Sequence, residues 1–165
     1  MSDLKVPIGY DNWATETLLE FCIALPPEQL ALTTPGTMGT VQATVVHVVG
    51  AKERYAAALR GTPAPEDAVR ETTTTDLRRA LARARVLSAF FDEYARGTID
   101  LEGTVERRAA DGTMQRMPTW ILLAQFLHHG NEHRAQLGSI FGAHGIEPPH
   151  YSAFNWGHEL GKIAS

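Results

Sequence analysis

Gln125-Phe126-Leu127-His128-His129-Gly130-Asn131-Glu132-His133-Arg134-Ala135-Gln136-Leu137 is the stretch from which the fold and the chemistry are read. Its apolar residues recur at helical spacing, and His129 and His133 stand four residues apart within it. At about 3.6 residues per turn, that separation brings two side chains onto one helix face, one turn apart. Two imidazoles so placed can grip one metal ion. His128 is five residues from His133 and falls off that face. A metal needs at least one further protein ligand, so the rest of the chain is searched for it.

The helix around this stretch is predicted from about Thr119, as N-cap, to Ala143, with Gly145 ending it. Working outward, Ile99 to Met117 changes character. Leu101, Gly103, Val105 and Arg107 alternate, Asp111-Gly112 is a turn signal, and Met114 to Met117 can return. A short β-hairpin or an extended excursion is expected there. A helix precedes it, capped by Thr74 or Thr75 and running to about Ala95, with Gly97 after it. Leu77, Leu81, Ala84, Leu87, Ser88, Phe91 and Tyr94 form its inner face, and Arg78, Arg79, Arg83 and Arg85 read as a solvated one. Thr40 to Arg60 is a further helix, closed by Gly61, with Val41, Val45, Val48, Val49, Ala51 and Tyr55 as its apolar stripe. The first helix runs from Val6 to Ala24, with Tyr10, Trp13, Thr17, Leu18 and Phe21 as its stripe, and Pro26-Pro27 stops it. The resulting fold class is all-α: a four-helix bundle with a long connection, hairpin or extended, between helices three and four. Its helix order need not be simple up-down-up-down. The tail from Ile146 carries Tyr151, Phe154 and Trp156 and can pack over the bundle or meet a partner.

Totals narrow the function. A chain of 165 residues, 44% hydrophobic and 21% charged, fits one globular domain over 1–165. A net charge of -4 without a basic block argues against nucleic-acid and anionic-membrane surfaces. No apolar run is long enough to cross a bilayer and no charged-then-apolar leader opens the sequence, so a cytoplasmic setting is expected. The single cysteine, Cys22, excludes an internal disulfide and a Cys-rich zinc site. Any metal must therefore be held by His, Asp or Glu. Glu132 directly precedes His133 rather than following His129, so the glutamate of a His-Glu-x-x-His protease is absent. His47 lies mid-helix among valines, where an unpartnered imidazole is costly. A metal would resolve that cost, and a hydrogen bond to a facing helix would too. Three neutral histidines, His47, His129 and His133, would leave coordination positions open, as catalytic sites do. Gln125 and Gln136, each about one turn from a ligand, are candidates to orient the imidazoles or bond a water. All-nitrogen ligation suits zinc, nickel or iron, and copper as well.

Four motifs carry a family resemblance over most of the chain. Tyr10-Asp11-Asn12-Trp13-Ala14, then Gly39-Thr40 followed by Val46-His47-Val48 and Glu53, then His129 to Gln136, and finally Gly145-Ile146-Glu147-Pro148-Pro149 together resemble the DinB-like (DinB/YfiT) superfamily of metal-binding four-helix bundles. Two positions depart from its usual pattern: Ala135 stands where glycine is common, and His150 follows the double proline where an aspartate is common. The resemblance implies His47 as first ligand with His129 and His133, and a divalent metal as cofactor. It further implies a metal-dependent enzyme that activates a low-molecular-weight thiol such as bacillithiol, mycothiol or glutathione for S-transfer or isomerisation of a small-molecule substrate. A homodimer is also implied. The alternatives are a metal-dependent hydrolase and a non-enzymatic, metal-stabilised bundle that dimerises or binds a small ligand. In the latter a tail histidine, His150 or His158, would close the site. No residue reads as a dedicated catalytic or thiol-binding group.

Overall fold

The computed structural model describes residues 4–65, 76–109 and 111–163. Four long helices carry the fold: α1 (Lys5–Ala24), α3 (Val41–Arg60), α4 (Leu77–Arg96) and α5 (Thr119–Ala143). Two short ones accompany them, α2 (Pro27–Leu30) and α6 (Ala153–Glu159). The expected hairpin forms from β1 (Thr104–Arg108) and β2 (Met114–Pro118), paired antiparallel from Thr104↔Pro118 to Arg108↔Met114.

Local chemistry explains the boundaries. Thr40 caps α3 by accepting from the Ala43 amide, and Gly61 closes it at φ 65°, a left-handed conformation suited to glycine. Pro26-Pro27 stops α1 and also starts α2, because proline is tolerated in a first helical turn. Two expected caps differ. Asp76 caps α4 by accepting from the Arg78 amide; Thr74 and Thr75 lie outside the described residues. Gly97 follows α4 as expected, in an extended conformation. Thr119 is the first residue of α5 rather than its cap, and its hydroxyl donates to the Gly103 carbonyl, fastening helix to hairpin.

Side-chain pairs give the helix directions. Asn12 reaches Asp92 while Glu20 reaches Arg85, so α1 and α4 run antiparallel. Asp11 meets Arg134 and Phe21 meets Phe141, so α1 and α5 run parallel. Glu53 pairs with Arg83 and Arg60 stacks on Phe90, so α3 and α4 are parallel. His47 lies against His133 while Tyr55 lies against Phe126, so α3 and α5 are antiparallel. Helix order along the chain is therefore up-down-down-up. The parallel step from α3 to α4 explains why a long connection is needed there, and the hairpin occupies the return from α4 to α5.

Phe91, Phe126 and Phe141 are the largest fully buried side chains. α3 is the central helix. Between Thr44 and Ala58 only His47 and Arg54 escape burial. On α1 the inner face differs from the aromatic stripe expected for it. Asp11, Asn12 and Thr15 are buried beside Ile8, Leu18, Leu19 and Cys22, whereas Tyr10 and Trp13 are half-buried. Those two aromatics lie under α6: Trp156 packs 6.1 Å from the Tyr10 ring, and Trp13 Nε1 donates to Glu159 Oε2 at 2.8 Å. Arg78, Arg79 and Arg85 are exposed as expected; Arg83 is half-buried because it neutralises the buried Glu53.

Candidate metal centre

The facing helices α3 and α5 bring His47, His129 and His133 together. His129 Nε2 lies 3.0 Å from His47 Nε2 and 3.2 Å from His133 Nε2. Two nitrogens each about 2.0–2.1 Å from one ion, at angles of about 90–110°, are themselves about 2.8–3.4 Å apart. The observed separations fall inside that range. The donor set also fits a cation on protonation grounds. Gln136 Oε1 accepts from the Met38 backbone amide at 3.2 Å, which identifies it as the acceptor end of the side chain. It lies 3.0 Å from His133 Nδ1, so His133 must donate from Nδ1 and present a bare Nε2 to the cluster. A proton on His129 Nε2 can serve only one of its two neighbours, so the other close N···N contact receives no hydrogen bond from it. A cation at the centre satisfies all three.

Burial first, then the charges of His133 and His47, hold the His129 imidazole down at about 3 against an ordinary 6.5. The unfolded chain takes up this proton below about pH 6.5, while the folded chain resists until about 3. Stability of chelator-treated protein is thus undiminished above pH 6.5 and declines as pH falls from there. Thermal melting at pH 7.5 and 5.0 is expected to give the lower midpoint at pH 5.0. His129→Gln should shrink the gap, and a wild-type midpoint that rises on acidification would contradict the assignment.

Around the triad, Tyr55 packs edge-on to His129 with centroids 5.9 Å apart. Of the two glutamine candidates, Gln136 is within hydrogen-bond distance of His133 Nδ1, and Gln125 hydrogen-bonds the Tyr55 side chain. Among the described residues, the group of potential ligands contains these three side chains alone; His150 and His158 belong to the tail and are not among them. Burial pushes the Cys22 thiol up to about 12, so it stays protonated and is no nucleophile.

An ionic cluster behind the site was not foreseen. Asp11 Oδ1 accepts from Arg134 Nη1 at 2.6 Å, and Asp11 Oδ2 lies 2.9 Å from Lys52 Nζ. Lys52 also donates to Asn12 Oδ1 at 3.1 Å, and Asn12 in turn donates to Asp92 at 3.0 Å. Burial alone would raise the Asp11 carboxyl; the charges of Lys52 and Arg134 outweigh it and hold the group below its ordinary value. Gly130 makes the approach possible. A methyl group there would collide with Asp11 Oδ1 and sit 2.9 Å from Arg134 Nη1. The cluster thus locks α1 to α3 and α5 beside the triad, since Arg134 directly follows His133. Charged residues inside an otherwise apolar pattern at positions 11, 52 and 134 were the available signal.

A helical bundle that converges three imidazoles from two facing helices belongs to the class of candidate metal-binding helical bundles. The sequence model of the DinB family matches residues 1–158, and the chain belongs to that family. A crystal structure of a DinB-like protein from Bacillus cereus superposes with a TM-score of 0.63 at 20% identity, over 85% of this chain and 89% of that one. At that identity the likeness speaks for the fold. No curated protein matches the chain. Among the described residues, no helix is long and apolar enough to cross a membrane.

Proposed function

We propose that His47, His129 and His133 hold one divalent ion (zinc, nickel or iron) and that the protein is a metal-dependent enzyme using a low-molecular-weight thiol. The observation that carries this reading is the convergence of three Nε2 atoms at 3.0 and 3.2 Å. When bound, the ion supplies a Lewis acid that lowers the pKa of a thiol or a water at neutral pH. The chain's own residues do the rest. His129 is kept neutral by its burial and its neighbours, so its lone pair is available. Gln136 holds the proton of His133 on Nδ1 and fixes the plane of that ring. The absence of a fourth protein ligand among the described residues supports an open, catalytic site over a closed, structural one. The fully protonated Cys22 supports a thiol supplied from outside.

Purified wild-type protein is expected to take up one divalent ion per chain, and His133→Ala to lose stoichiometric uptake while keeping its helical circular dichroism. Incubating the loaded protein with each common low-molecular-weight thiol and a panel of electrophiles should show thiol consumption that His133→Ala lacks. Absence of uptake in the wild type defeats the metal assignment; uptake without consumption of any thiol defeats the thiol assignment alone and turns attention to hydrolysis.

A further inference from the structure

Gln136 can face His133 in two ways. Its side-chain amide has an accepting oxygen at one end and a donating NH2 at the other, and a half turn about the last bond exchanges them with little change of shape. With the oxygen toward His133, that ring carries its proton on Nδ1 and its Nε2 is bare. With the NH2 toward it, Nδ1 must accept, and the proton moves to Nε2, the nitrogen that lies 3.2 Å from His129. A third group has to choose between the two. The Met38 backbone N–H lies 3.2 Å from Gln136 Oε1 and can only donate, so it favours the oxygen and would meet the NH2 donor to donor.

Met38 belongs to a loop that is bonded to itself at neck and tip. At the neck, the Val41 amide donates to the Leu32 carbonyl at 2.9 Å and the Thr33 hydroxyl donates to the Gly39 carbonyl at 3.1 Å. At the tip, the Thr37 amide donates to the Thr34 carbonyl at 3.2 Å, across Pro35 and Gly36. Proline followed by a glycine at φ 86° is the pattern of a type II turn. The Thr37 hydroxyl donates to the same Thr34 carbonyl at 2.7 Å. His144, the C-cap of α5, donates from Nε2 to the Thr33 carbonyl at 3.0 Å, while Thr40, directly after the loop, caps α3. The loop is thereby fastened to both helices that carry the three histidines.

We propose that the loop from Thr33 to Gly39 is a positioning element of the candidate metal centre: the Met38 N–H fixes the orientation of the Gln136 amide, and with it which nitrogen of His133 is bare toward His129. The effect on ion affinity rests on the metal reading; the effect on the His133 tautomer does not. A backbone amide suits the task because it has no acceptor end to offer. Met38 acts through Gln136, and this route predicts a specific rescue. Gln136→Glu replaces the two-ended amide with a carboxylate that accepts through either oxygen, so no orientation remains to be chosen.

The test compares two loop variants of the full-length protein, each alone and combined with Gln136→Glu. Met38→Pro removes the N–H, and Gly36→Val denies the tip its left-handed glycine. Long-range nitrogen–proton NMR of the imidazoles in chelator-treated protein reads the tautomer, and competition for zinc against a chelator reads affinity. Wild-type His133 is expected to be protonated on Nδ1. Both loop variants are expected to shift it toward the Nε2–H form and to weaken zinc binding about tenfold, the lower end of the loss seen when a group orienting a metal-binding histidine is removed. Combined with Gln136→Glu, the same changes should alter affinity less than about twofold, because the two sites act through one contact. If Met38→Pro loses its helical circular dichroism, Gly36→Val carries the comparison. An unchanged tautomer in the loop variants, or an equal loss of affinity with and without Gln136→Glu, overturns the positioning role. A tautomer that follows the loop in a protein that takes up no zinc leaves that role standing and defeats the metal reading. Stoichiometric zinc with a tautomer indifferent to both loop changes does the reverse.

Discussion

Gly130→Ala is expected to destabilise the protein by about 3 kcal/mol, although helix propensity alone predicts a gain of about 1 kcal/mol for this exchange in a helix interior. Gly130 sits in the middle of α5, where the added methyl group would occupy the position of Asp11 Oδ1. Asp11 is 1% exposed and cannot retreat to water. Its displacement would lengthen the 2.6 Å contact to Arg134 and the 2.9 Å contact to Lys52, leaving two cations buried with a misplaced partner. Separating buried charges from their counter-charge costs about 3–5 kcal/mol. Urea denaturation of both proteins measures the difference, and its sign decides the matter. A stabilised Gly130→Ala variant would mean that the helix interior, not the Asp11 contact, governs this position. Asp11→Ala introduced into the Gly130→Ala background supplies a second check, because with the carboxylate gone the methyl group should add little further cost.

Gln136→Leu is expected to weaken divalent-ion affinity about 10- to 100-fold, the usual consequence of removing a group that orients a metal-binding histidine. Without the acceptor at 3.0 Å, His133 is no longer held in the Nδ1–H form, and its other tautomer would turn a proton toward the other imidazoles. Gln136→Glu keeps an acceptor for both the His133 and Met38 donors and should retain most of the affinity. Competition against a chelator of known strength reads both variants. If Gln136→Leu binds as tightly as wild type, or if Gln136→Glu falls equally far, Gln136 does not act through the tautomer of His133. The prediction also separates Gln136 from Gln125, whose hydrogen bond goes to Tyr55 and whose loss should matter less.

The residues that share a window of one or two turns were the ones whose arrangement could be read before the tertiary structure was known. The cap at Thr40, the left-handed Gly61 and the hairpin around Asp111-Gly112 are local devices, and each appears where its residues stand. The pairing of His129 with His133 is of the same kind, because both lie on one helix. Errors of a residue or two arose where neighbours compete. Asp76 caps α4, and Thr119 is drawn into the first turn of α5 by its bond to Gly103.

The inner face of α1 shows the opposite situation. An apolar stripe through Tyr10 and Trp13 is a sound local reading, yet burial goes to Asp11, Asn12 and Thr15 instead. Periodicity cannot reveal this, because a carboxylate is excluded from a core unless its counter-charges arrive with it. Those counter-charges come from Lys52 and Arg134, and Arg134 is 123 residues away along the chain. His47 is likewise brought to His129 across 82 residues. Sequence alone determined the helices, the hairpin and one edge of the candidate metal centre, since hydrogen bonding and φ/ψ preference act over a few residues. The approach of His47, already singled out in the sequence, to that pair, the buried ionic cluster and the turn of α1's aromatics toward the tail were decided only in the tertiary structure. Each depends on burying a polar group against a partner from another helix, and a partner's arrival is not a property of any local stretch.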